Sequence, residues 1–141
     1  MPSVDDWTKQ IRGRVGGHPR EFATAADLRE VEQAIREHPA SAALWILRGD
    51  LIQLCDDILD DYPLEEALRS YQRASRLAPD DPEPQIEMGH YLDAIADDPG
   101  GAVPHFRAAI ELGGGEAATK GLADAVAQLD HRTKLDDADT D

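Results

Sequence analysis

The chain has 141 residues and a formal net charge of −15; hydrophobic residues make up 41% and aromatic ones 5%. That length suits one domain with a real core, which must be built from Leu, Ile, Val and Ala, a composition that favours helices. Acidic residues outnumber basic ones 29 to 14, which excludes a phosphate-tracking surface, since nucleic-acid affinity comes largely from Lys and Arg; an anionic membrane is an equally poor partner.

The charge is uneven: residues 1–40 carry −1, residues 41–80 carry −4 and residues 81–141 carry −10. A basic or amphipathic partner is therefore drawn to the C-terminal part. The single cysteine forms no internal disulfide, and no apolar N-terminal stretch resembles a signal peptide or a membrane span, so the expected setting is cytoplasmic.

Along the chain, Ser3 and Asp6 form a capping-box pattern for a short helix over 3–15, with Val4, Trp7, Ile11 and Val15 on one face. Gly13, Gly16, Gly17 and Pro19 break it. Thr24 and Asp27 announce a second helix bearing Leu28, Val31 and Ile35, ended by Pro39. From Ala42, the positions Leu44, Leu47, Leu51, Leu54, Cys55, Ile58, Leu59 and Tyr62 recur at helical spacing, which predicts a helix of about 20 residues. Pro63 opens the next, carrying Leu64, Ala67, Leu68, Tyr71, Ala74 and Leu77. Further helices are predicted from Pro84 to Asp97, from Ala102 to Leu112, and around Ala118, Leu122, Ala125, Val126 and Leu129. The fold class is all-α, with about seven helices and no strand pattern; short turns make neighbours antiparallel hairpins.

The helices repeat. Ala67, Tyr71, Ala74 and Pro79 form Ala-x₃-Tyr-x₂-Ala-x₄-Pro, which returns as Ala102, Phe106, Ala109 and Gly114; Gly49 lies ten residues after Pro39 and Gly89 ten after Pro79. With Trp45 four residues before Gly49, this resembles the tetratricopeptide repeat, a 34-residue helix-turn-helix unit. Departures are Arg48 where that family has Leu, Gln85 where it has Trp, and Gly114 for the terminal Pro. The resemblance implies hairpins stacked as a short superhelix in a single domain over 1–132. A degenerate first hairpin would occupy 1–39, an extended repeat 42–79, a repeat 82–114 and a C-terminal capping helix 115–132, before a flexible acidic tail over 133–141.

The stretch CDDILDD places Asp56, Asp57, Asp60 and Asp61 in a DDxxDD arrangement, which resembles the aspartate-rich helices that hold Mg²⁺ against a diphosphate in prenyl-transferring enzymes. On a helical wheel, Asp50, Asp57 and Asp61 fall within about 40° of one another, so two of them could share a hard cation. No second aspartate-rich helix faces them, and the solvated face of a helix is the expected reading. The five histidines are scattered, and Cys55 lies on an apolar stripe. No catalytic residue, cofactor or metal ligand is assigned.

The tetratricopeptide resemblance implies a non-enzymatic protein-protein interaction module or small adaptor. Its groove would comprise Ala43, Ile46, Asp50, Gln53, Asp57 and Asp61 in the first full repeat, and Glu83, Ile86, His90 and Asp93 in the second. Ile46 lies on the otherwise polar half of its helix and is expected to be exposed to a partner. The partner would be a protein or peptide, basic or amphipathic. The alternatives are a metal-dependent enzyme acting on a phosphorylated or diphosphate substrate through Asp56–Asp61, and a self-associating homo-oligomer subunit.

Overall fold

The structure, a computed structural model, describes residues 1–15, 22–55 and 62–138. Seven α-helices lie among them, with no β-structure beyond one isolated parallel bridge between Ala23 and Cys55. The fold is all-α. Its contacts divide the chain into two compact units, Met1–Pro79 and Asp80–Asp141.

Unit 1 contains α1 (Val4–Arg12), α2 (Ala25–Glu37), α3 (Ala42–Leu54) and α4 (Glu65–Leu77). The capping box read at Ser3 and Asp6 forms, and the helix start read at Thr24 and Asp27 is a capping box too. Ser3 and Asp6 exchange bonds at 3.1 and 3.2 Å, and Thr24 and Asp27 at 3.4 and 2.8 Å, satisfying amide donors that a helix start leaves orphaned. Ser41 caps α3 through the Leu44 amide at 3.3 Å.

Helix α3 packs against α1, α2 and α4, so residues on several of its sides are buried: Leu44, Ile46, Leu47, Leu51 and Ile52. Ile46, expected at the surface, is only 7% exposed. Asp50, one turn along the face that carries Ile46, meets Arg12 of α1 at 3.2 Å and the Tyr71 hydroxyl of α4 at 2.7 Å, so that face is turned towards other helices of the unit.

The long helix predicted through CDDILDD stops at Leu54. Cys55 has an extended backbone (φ −67°, ψ 127°), and the Leu54 carbonyl accepts from the Ala23 amide at 3.0 Å. Leu54, expected on the buried stripe, is 36% exposed. Apolar spacing continues past this point, but a carbonyl capped from outside the helix ends it. The wheel that would align Asp50 with Asp57 and Asp61 therefore does not continue beyond Leu54; Asp56, Asp57, Asp60 and Asp61 lie outside the described residues.

Unit 2 contains α5 (Pro82–His90), continued by a π-helical segment Tyr91–Ile95, then α6 (Pro99–Glu111) and α7 (Gly115–Ala138). Asp81 caps α5 at the Glu83 amide (3.0 Å), and Asp98 caps α6 at the Gly101 amide (2.9 Å). Helix α7 continues to Ala138, beyond Thr133, where a flexible tail was expected. The α6–α7 turn uses left-handed backbone at Gly113 (φ +87°) and Gly115 (φ +67°), conformations that glycine adopts without penalty.

Each unit closes a hairpin in the same way. In unit 1 the Tyr71 ring of α4 lies on Gly49 of α3, so close that a Cβ at that position would come 2.6 Å from the ring. In unit 2 the Phe106 ring of α6 lies on Gly89 of α5, with a corresponding distance of 2.7 Å, and Gly121 of α7 presses on it from another direction. Ile86, also expected in an open groove, is 8% exposed because it clusters with Ala109 of α6 and Ala118 of α7.

His105 on α6 places Nδ1 2.9 Å from Gln85 Oε1 on α5, and burial pushes its imidazole below the ordinary value of 6.5. The folded state then binds fewer protons than the unfolded chain between the two pKa values. The neutral ring's contribution is complete above 6.5 and is lost as pH falls towards the folded value. Urea midpoints measured from about pH 7.5 to about pH 5.5 should fall with acidification, and His105→Gln should flatten part of that slope. An unchanged slope would remove His105 as its source.

Candidate functional site

Among the described acidic groove positions, Asp50 is engaged by the chain itself. Asp50 pairs with Arg12 and accepts from the Tyr71 hydroxyl at 2.7 Å, while Gln53 donates to the same hydroxyl at 2.6 Å. With Ile46 covered, Ala43 is the exposed one among the described members of this set in unit 1; Asp57 and Asp61 lie outside the described residues. In unit 2, Glu83 and His90 are exposed and Asp93 is half-buried; the His90 ring meets Phe106 edge-on at 5.2 Å. Among the described residues, no group of three or more His, Cys, Asp or Glu side chains could hold a metal ion.

A different site stands out in unit 1. Helices α2, α3 and α4 border an open cavity of about 650 Å³ lined by Arg36, Arg48, Arg69, Arg73 and Arg76, with Glu32, Glu66, Trp45, Ile35 and Gln72. Five of the chain's 14 Lys and Arg residues thus face one cavity in a protein of net charge −15. Two lining carboxylates against five guanidiniums leave it cationic. The signal was present in the sequence: Arg69, Arg73 and Arg76 are spaced four and three apart, which puts them on one face of a helix. A segment charge of −4 over 41–80 concealed it, because the acidic residues of that segment concentrate in CDDILDD.

The arginines differ in how firmly they are held. Arg48 is only 12% exposed. It bonds Glu32 at 3.4 Å, Glu66 at 3.4 Å and the Ser70 hydroxyl at 2.7 Å, and its guanidinium lies 5.8 Å from the centroids of both Trp45 and Tyr62. Burial, then a hydrogen bond to Glu32, pushes the Tyr62 phenol above its ordinary value of 10.0. Arg69 pairs with Glu66 at 2.6 Å, and Arg36 bonds Gln33 at 2.7 Å. Arg73 and Arg76 make no hydrogen bond or ion pair with a described side chain. Arg36 and Arg76 occupy the last turns of α2 and α4, where the helix dipole favours a cation by about 0.3–1 kcal/mol. That effect accounts for neither Arg69 nor Arg73.

Chemically, the arrangement suits an anion, because guanidinium forks match carboxylates bidentately. No protein-family model matches the chain, and no curated protein matches it either. No helix among the described residues is long and apolar enough to cross a membrane.

Proposed function

We propose that the chain is a non-enzymatic protein-interaction module of tetratricopeptide-like hairpins, cytoplasmic, whose partner docks through acidic groups in the arginine-lined cavity of unit 1. The observation that carries this reading is the convergence of Arg36, Arg48, Arg69, Arg73 and Arg76 on one cavity. Arginine clusters are a recurring means of recognising acidic motifs. A basic partner, the first expectation for so acidic a chain, would find Asp50 already paired with Arg12 and Ile46 and Ile86 covered.

Calorimetric titration with glutamate-rich and lysine-rich peptides tests this. Glutamate-rich peptides should bind, more weakly as salt rises, and Arg73→Glu with Arg76→Glu should weaken them at least about tenfold, equivalent to ~1.4 kcal/mol. Binding of lysine-rich peptides alone would reject it.

A further inference from the structure

The cavity has an internal polarity that narrows its ligand. Arg48 is neutralised by Glu32 on one side and Glu66 on the other, and all three line the cavity. Helix α3 runs antiparallel to α2, since the Ala23 amide just before α2 bonds the last residue of α3. Trp45 and Arg48 share a face one turn apart, so Trp45 lies away from Glu32, towards the C-terminal end of α2 where Arg36 sits. Trp45 also shares the cavity with Arg73 and Arg76 of the C-terminal half of α4.

Unpaired cations collect at that end: Arg36 bonds only a neutral amide, and Arg73 and Arg76 pair with no described side chain. The opposite end already holds its own carboxylates. A ligand bearing negative charge along its whole length would find Arg48 and Arg69 already matched by Glu32 and Glu66 there, and would set its own carboxylates beside theirs.

We infer that the cavity takes a peptide segment of mixed character, with two or three carboxylates at Arg36, Arg73 and Arg76, and uncharged residues beside Glu32 and Glu66. This rests on the anion-binding reading above. From Glu66 to Arg76 the lining spans ten residues of α4, roughly 15 Å, which about five residues of extended peptide cover. The site thus discriminates a locally acidic peptide from a uniform polyanion, by repulsion at one end as well as attraction at the other.

The experiment uses the full chain and two capped pentapeptides, Glu-Glu-Ser-Gly-Ser and pentaglutamate, with inorganic phosphate as a third probe. Binding is followed by the two indole N–H resonances, and Trp45 is assigned with a Trp7→Phe variant. The mixed peptide should bind at least threefold tighter than pentaglutamate and move the Trp45 resonance. Arg73→Ala with Arg76→Ala, exposed substitutions that suit a helix, should weaken it at least tenfold. Glu32→Gln should improve pentaglutamate more than the mixed peptide. Pentaglutamate binding as tightly as the mixed peptide, or a Trp45 resonance that stays in place while the mixed peptide binds, would overturn the polarity yet leave an anion receptor. Phosphate matching the mixed peptide would overturn the peptide assignment. Failure of both peptides to bind would overturn the receptor reading as well.

Discussion

Phe106→Ala is expected to cost about 3–5 kcal/mol, a large part of the 5–15 kcal/mol that typically separates a folded domain from its unfolded chain. The ring is fully buried, with Ala102 and Ala125 in its cluster and Leu92, Val103 and Leu122 packed against it. Its close neighbours Gly89 and Gly121 have no side chain with which to fill the void. Such a site collapses poorly, so the cost should lie towards the upper end of that range. Urea unfolding followed by circular dichroism measures it, and Phe106→Leu should lose clearly less because most of the volume is kept. A loss below about 1 kcal/mol for the alanine variant would mean that the ring does not organise unit 2.

Arg48→Ala is the second large effect, expected at about 2–3 kcal/mol. The substitution removes the cation shared by Glu32 and Glu66, leaving Glu66 to Arg69 alone and Glu32 to the Tyr62 phenol, and takes a donor from Ser70, which is fully buried. Breaking a fully buried pair costs about 3–5 kcal/mol. Glu32 and Glu66 retain 31% and 22% side-chain exposure, so water offsets part of that cost here. It also removes the packing of the guanidinium against Trp45 and Tyr62. Adding Glu32→Gln to the alanine variant should recover part of the loss, because it removes the carboxylate that has lost its cation. If Arg48→Ala lost less than about 0.5 kcal/mol, as a solvent-screened surface pair would, the network would have no structural role.

Much of the architecture was legible because it is written in local chemistry. Ser3 with Asp6 and Thr24 with Asp27 are capping boxes whose partners lie three residues apart, and both start a helix as read. The repeated small-and-aromatic pattern marked two real contacts, Gly49 with Tyr71 and Gly89 with Phe106. The end of α3 was not legible. Leu54 stops the helix through a bond to Ala23, 31 residues earlier in the chain, which no periodicity over a single segment contains.

The candidate site followed the same division. Helical spacing on a wheel gave Ile46 and Asp50 a shared outward face, and they do share a face; Ile46 is buried on it, and Arg12 and Tyr71 take the carboxylate. The arginine spacing on α4 lay in the sequence too, but its meaning depended on Arg36 and Trp45 arriving from two other helices. What the sequence by itself determined is the set of helices, their starts and the faces of each that are apolar or charged, because these follow from contacts within a few residues. Only the tertiary structure decided which charged faces are neutralised by the chain's own side chains and which remain open, because pairing energy falls off over a few ångströms and so depends on which helices become neighbours.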